Sequence, residues 1–190
     1  GIGFRRYAPS VWHVGAITAE KANIAFENVR ISEMATTGLS VQSSGASLRK
    51  VTVDNNGMLG INGRYADNLV MDGVLSTANN TQHFNVAPVS GGVKLGSTRG
   101  VKVSDSSFSD NLGYGFWIDL SVYDTTIAGS KVVRNKAAGL FLEISSKVIV
   151  GDTLVADNGA EGIIVNNTSN VKLWNNTILG NARPVNLVQD

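Results

Sequence analysis

Asp157-Asn158-Gly159-Ala160-Glu161-Gly162-Ile163-Ile164-Val165 holds an Asn, a gap of three residues, a Gly and then a short apolar run. The phrase recurs as Asn135…Gly139-Leu140-Phe141-Leu142, as Asn111…Gly115-Phe116-Trp117-Ile118, as Asn56…Gly60-Ile61 and, worn down, as Asn181…Val185-Asn186-Leu187. Gly15, Gly38, Gly60, Gly92, Gly115, Gly139 and Gly162 follow one another at intervals of 23, 22, 32, 23, 24 and 23 residues. A period of this size marks stacked repeats, each of which buries its apolar face only against its neighbours.

Each unit divides into three short apolar pieces. The last full unit reads Gly162-Ile163-Ile164-Val165, Val171-Lys172-Leu173 and Thr177-Ile178-Leu179, and the one before it Leu140-Phe141-Leu142, Val148-Ile149-Val150 and Thr153-Leu154-Val155. The pieces are too short for helices and rich in β-branched residues, so they read as strands, with Gly, Asn, Asp, Ser and Thr turning the chain between them. A leucine-rich repeat would keep one strand and a returning helix or 3₁₀ segment per unit, but no stretch here has helical apolar spacing. These features resemble the right-handed parallel β-helix of the pectin-lyase-like family, over about residues 15–188. The expected fold is therefore all-β, a single-stranded solenoid of about seven coils over residues 15–190, with residues 1–14 as an N-terminal cap or the remnant of a preceding coil.

In such a coil, equivalent residues lie one strand spacing apart, ~4.8 Å, giving a rod of roughly 35 Å. Phe116, Leu140 and Ile163 should stack inside with Ile118, Leu142 and Val165. Asn56, Asn111, Asn135, Asn158 and Asn181 should form a ladder of amides at one corner, serving peptide groups that a turn leaves unpaired. The Gly four residues later would permit an unusual backbone angle or a close approach between coils.

Composition narrows the function. With 16 basic and 15 acidic residues the net charge is +1, which argues against nucleic acid or an anionic membrane as partner. No apolar run approaches a membrane span, and the absence of Cys excludes disulfides and thiol chemistry. The abrupt start at Gly1 reads as a processed or excised chain, and the resemblance implies one part of a longer extracellular or cell-surface protein with further domains.

Three places could carry a ligand. Arg5, Arg6, Trp12 and His13 could touch one, or simply belong to the cap. The 32-residue interval implies an insertion near 77–90, which contains His83, one of two histidines. The third is the outward side of the first strand of each unit. Two residues after each Gly stand Ile17, Ser40, Asn62, Lys94, Trp117, Phe141 and Ile164; four after stand Ala19, Gln42, Arg64, Gly96, Asp119, Glu143 and Asn166. Oligosaccharide is expected along Asn62, Arg64, Lys94, Trp117 and Phe141, because aromatic faces beside polar groups suit sugar rings. Asp119 and Glu143, on neighbouring coils, could share a proton, act as a glycosidase-like pair with His83 nearby, or hold Ca²⁺; otherwise no cofactor is expected.

The resemblance implies a polysaccharide lyase, a glycoside hydrolase, a uronan epimerase, a tailspike or an adhesive surface protein. The paired-Asp and Gly-His-Gly signatures of polygalacturonases, and the Asp-Pro-His run of alginate epimerases, are absent. A noncatalytic carbohydrate-binding or surface module is therefore the first expectation. The alternative is a polysaccharide-active enzyme using Asp119, Glu143 and one of Arg64, Lys94 and His83.

Overall fold

The structure, a computed structural model, describes residues 1–9 and 14–189. The chain winds as a solenoid, visiting three parallel sheets in turn on every circuit. The first sheet runs from Ile2–Arg5 to Thr177–Leu179 and the second from Ile17–Ala19 to Arg183–Val188, each with eight strands; the third runs from Ala25–Glu27 to Ser169–Trp174 with seven. There are thus about eight turns, one more than the glycine count, because the worn copy at 183–188 makes a full strand of the second sheet. Ile2–Arg5 pairs in parallel register with Val29–Ser32, the arrangement of a preceding turn.

Register explains the apolar pattern. Phe116, Leu140 and Ile163 stand in one column and Ile118, Leu142 and Val165 in the next, and all are buried. In the first sheet, Ile31, Val53, Ser76, Phe108, Val132 and Val155 form a third interior column. Ser76 satisfies its buried hydroxyl by donating to Gly92 O at 2.8 Å. Phe108 meets Phe116 edge-on, with ring centroids 4.9 Å apart, closing the space between two of the sheets.

The amide ladder has six rungs: Asn56, Asn79, Asn111, Asn135, Asn158 and Asn181. Each Nδ2 donates to the Oδ1 of the next rung, at 2.8, 3.0, 2.9, 3.0 and 2.9 Å. The same Oδ1 also accepts the backbone N–H of the rung before it, at 3.0–3.1 Å. From Asn79 onward, Nδ2 donates in addition to a strand carbonyl, as Asn135 does to Phe108 O at 3.0 Å. A corner that would strand peptide N–H groups inside the protein is thereby satisfied.

Asn79 corrects the expected extent of the insertion. It keeps the ladder in step, so the extra residues lie after it, between Asn80 and Ser90. The repeat glycines serve close approach rather than backbone angle. A Cβ on Gly115 would stand 2.6 Å from Asn135 Nδ2, and one on Gly139 2.7 Å from Asn158 Nδ2. The glycine of one turn makes room for the asparagine of the next.

At the first turn the glycine spacing misleads. Register pairs Ile17 with Leu39 and Thr18 with Ser40, so Ala16, not Gly15, occupies the glycine column. The following turn carries Met34 where later turns carry Asn, and its N–H donates to Asn56 Oδ1 at 3.1 Å. Without an amide to accommodate there, Ala serves in place of Gly. Thr18 and Glu20 therefore replace Ile17 and Ala19 in the outward rows.

Candidate functional site

On the outward side of the second sheet, parallel register aligns Ser40, Asn62, Lys94, Trp117, Phe141 and Ile164 in one column. Beside it, Arg64, Gly96 and Asp119 are in register, as are Glu143 and Asn166. The rows expected from the sequence are therefore present from Ser40 onward, but neighbouring turns divide their residues into two environments.

Trp117 heads the packed half. It is only 5% exposed although its side chain leaves the sheet on the outer side. Phe141 stacks against it at 5.2 Å and 18°, Tyr114 meets it edge-on at 5.0 Å, and Lys94 Nζ lies 3.4 Å from its ring centroid. Its indole N–H donates to Glu143 Oε2 at 2.9 Å. The expected open stacking platform is thus corrected: with a lysine on one side of the indole and a phenylalanine on the other, Trp117 has no free ring face.

Lys94 joins the packed half to the insertion. Its ammonium donates to Asp119 Oδ2 at 2.9 Å and to Pro88 O at 2.6 Å while sitting over the Trp117 ring, a cation–π contact. Val89 buries its side chain against Met58 and Leu59 in a small apolar cluster separate from the main core. Asn80 Nδ2 donates to Phe84 O at 2.9 Å and to Leu112 O at 2.7 Å. The insertion is accordingly fastened onto the face at several points.

Both carboxylates are engaged. Asp119, 8% exposed, accepts from Lys94 and, through Oδ1, from the Leu120 N–H at 2.7 Å. Glu143 accepts from Trp117 and, at 3.4 Å, from Asn166 Nδ2. Burial, and then the negative charge of Asp119, hold the Glu143 carboxyl above the usual carboxylate range; the Trp117 hydrogen bond and Lys94 pull the other way. Tyr114, which the sequence reading passed over, is shifted upward by burial and then by Glu143 and Glu161. Its position just before a repeat Gly was the available signal, since the residues before those glycines form a third register row.

Calcium does not fit this pair. The Lys94 ammonium already occupies the cation position beside Asp119, and the described residues contain no group of three or more acidic or imidazole side chains able to hold a metal. Ca²⁺ takes six to eight oxygen ligands.

The open half is a cleft of about 620 Å³ beside Lys94. Asn62, Arg64 and Lys94 line it together with Gln42 and Tyr65, and Val14, Pro88, Val89 and Leu120 supply apolar wall. The Arg64 guanidinium lies 5.2 Å from the Tyr65 ring centroid and forms no ion pair among the described residues. Gln42 Nε2 and Asn62 Nδ2 converge on Ser40 Oγ at 3.1 and 3.4 Å, which aligns two amides along the floor.

His83 is exposed on the insertion and is not among the residues lining the cleft. At the N-terminal end, Arg5 and Arg6 pair with Glu33 at 2.7 and 2.9 Å, while Trp12 and His13 lie outside the described residues.

Comparison with known proteins adds the family and the fold. No curated protein sequence matches the chain. Among solved structures, the chain is similar to a mutant of the periplasmic alginate epimerase AlgG, with a TM-score of 0.74 and 18% identity over 87% of this chain and 38% of that one. It is also similar to tailspike protein 2 of Escherichia coli O157:H7 bacteriophage CAB120 (TM-score 0.63, 13% identity, 90% of this chain and 28% of that one). A third similarity is to the Streptococcus pneumoniae surface protein and adhesin PfbA (TM-score 0.59, 13% identity, 88% and 49%). The chain spans less than half of each of these proteins, and at such identities the likeness is one of fold. The family model for the right-handed β-helix region matches residues 14–182, nearly the whole solenoid, and the chain belongs to that family.

Proposed function

We propose that the chain is a noncatalytic oligosaccharide-binding β-helix module, one part of a longer extracellular or cell-surface protein, with its ligand held in the cleft beside Lys94. The observation that carries this reading is Arg64: a guanidinium without a carboxylate partner among the described residues, in a concave site with the Asn62 and Gln42 amides on its floor and apolar side chains on its wall. Sugars have apolar ring faces and hydrogen-bonding edges, and a mixed lining of this kind matches both. The names of the structural neighbours, a periplasmic alginate epimerase, a tailspike and a surface adhesin, support a carbohydrate-related role outside the cytoplasm.

One observation favours the second reading, a polysaccharide-active enzyme. Glu143 is held above the ordinary carboxylate range by burial and by the negative charge of Asp119, the direction expected of a general acid. Binding is nevertheless the better reading, because Glu143 and Asp119 are both tied into the packed half and His83 does not line the cleft.

Isothermal titration against a panel of neutral and acidic oligosaccharides tests the proposal. Arg64→Ala and Asn62→Ala should each weaken binding by about tenfold, with unchanged circular dichroism. Binding indifferent to both substitutions, or none to any glycan, would sink it. A reducing-end or unsaturated-uronate signal that disappears in Glu143→Gln would establish the enzyme reading instead.

A further inference from the structure

The third sheet carries a second concavity on its outer side, about 540 Å³ in volume, and it shares no residue with the cleft at Arg64. Parallel register sets Lys102, Thr126, Ile149 and Lys172 in one column. The two lysines stand at its ends, three strand spacings or about 14 Å apart along the rod. Between them Thr126 and Ile149, both half-buried, form the floor. A ridge runs alongside, where Asp124, Lys147 and Asn170 all take left-handed backbone, with φ of 55°, 57° and 55°.

The charge in this groove is not balanced. Lys147 and Asp124 lie 3.7 Å apart and are both 60% exposed, so their mutual attraction is weak. Lys102 and Lys172 make no ion pair or side-chain hydrogen bond among the described residues. The groove thus presents three ammonium groups against one carboxylate on a chain whose net charge is only +1. The groove therefore carries a local excess of positive charge.

We propose that this groove is a second ligand site, for a linear acidic oligosaccharide lying along the rod axis, with anionic groups at Lys102 and Lys172 and a sugar face over Thr126 and Ile149. Carboxylate and sulfate would be recognised by the same ammonium groups. A single-stranded nucleic acid is disfavoured, because no aromatic side chain lines the groove to stack a base. The ridge of Asp124, Lys147 and Asn170 confines the ligand to the column, and Lys147 adds a third cation midway along it.

The test uses the whole chain in an Arg64→Ala background, in which binding at the cleft of the second sheet is weakened about tenfold. The probes are a galacturonate tetrasaccharide, a sulfated tetrasaccharide and cellotetraose, titrated at low and physiological salt. One or both acidic probes should bind and cellotetraose should not, and binding should weaken as salt rises. Lys102→Gln with Lys172→Gln should weaken the acidic interaction by about tenfold, whereas Lys131→Gln, on the first sheet, should leave it unchanged. The relative strength of the two acidic probes then assigns carboxylate or sulfate. Acidic probes that bind no better than cellotetraose, or equally well after removal of Lys102 and Lys172, would overturn the proposal. So would complete loss of acidic binding in the Arg64→Ala background, since that places every anion in the cleft. Failure of the cleft reading looks different: glycan binding in the wild type would then be untouched by Arg64→Ala.

Discussion

Replacing Asn135 by Ala tests the ladder at its centre. Asn135 Oδ1 accepts from the Asn111 N–H at 3.1 Å and from Asn111 Nδ2 at 2.9 Å, and its Nδ2 donates to Phe108 O at 3.0 Å and Asn158 Oδ1 at 3.0 Å. The substitution removes all four bonds. Asn158 Oδ1 keeps the Asn135 N–H and Asn111 Nδ2 keeps Ser76 O, so the heaviest loss falls on the Asn111 N–H, deprived of its ladder acceptor at a wholly buried rung. At about 1–3 kcal/mol for a buried group left unsatisfied, plus a smaller loss of about 1 kcal/mol for the weakened rungs, the cost should be about 2–4 kcal/mol. Asn135→Asp should cost more, although it keeps an acceptor for Asn111. It sets a carboxylate oxygen against Phe108 O and Asn158 Oδ1 and buries a charge with no cation in the ladder. Asn181→Ala, at the half-buried last rung, should cost about 1 kcal/mol because water can reach the freed groups. Urea denaturation followed by circular dichroism gives the midpoints. A repeat array can also split at a weakened turn, which would show as a lower m-value. Equal losses at Asn135 and Asn181, or Asn135→Asp more stable than Asn135→Ala, would refute the ladder energetics.

Gly139→Ala should destabilise by about 2 kcal/mol or more, since its Cβ would stand 2.7 Å from both Asn158 Nδ2 and Gly162 O, whereas Gly3→Ala, with nothing within 4 Å, should be nearly neutral. Thermal midpoints of the two variants make the comparison. Thr125→Val should stabilise by about 1 kcal/mol: Thr125 is buried in register with Val148, and its hydroxyl has no partner among the described residues. A lower melting temperature would mean that the hydroxyl is satisfied. For Glu143 the sign follows from its raised titration. The folded protein holds that proton more tightly than the unfolded chain, so stability contributed by the protonated form is lost as pH rises from the ordinary carboxylate range through the raised value. Glu143→Gln should flatten this slope, and an unchanged pH profile of the urea midpoint would show that Glu143 titrates alike in both states.

The candidate site was legible in outline. Alternation along a strand assigns each side chain to the inside or outside of its sheet, and this located Asn62, Lys94, Trp117 and Phe141 in one row and Asp119 beside Glu143. It does not say what covers an outward residue. Trp117 is closed off by Lys94 and Phe141, which are 23 residues before it and 24 after it in sequence but one strand away in space. The cleft was still less legible, because its wall combines Val14, Leu120 and the Pro88–Val89 end of the insertion, which share no repeat position.

By itself the sequence determined the period, the three strands per turn, the interior columns and all but one rung of the ladder. These depend on residue type at a fixed spacing, and once turns of that length stack in parallel, equivalent residues fall into columns. Tertiary structure alone decided the placement of Asn79, the one-residue shift from Ile17 to Thr18 and the division of the outward face into a packed half and an open one. Asn79 remains on the ladder because the extra residues bulge out after its turn, a choice the 32-residue interval leaves open. The first turn shifts because Ala replaces Gly where Met34 replaces an asparagine, a coupling between turns that appears only once their hydrogen bonds are made. The face divides at Lys94, whose ammonium is held at once by Asp119, the Trp117 ring and Pro88 O, three groups that only folding brings to the same point.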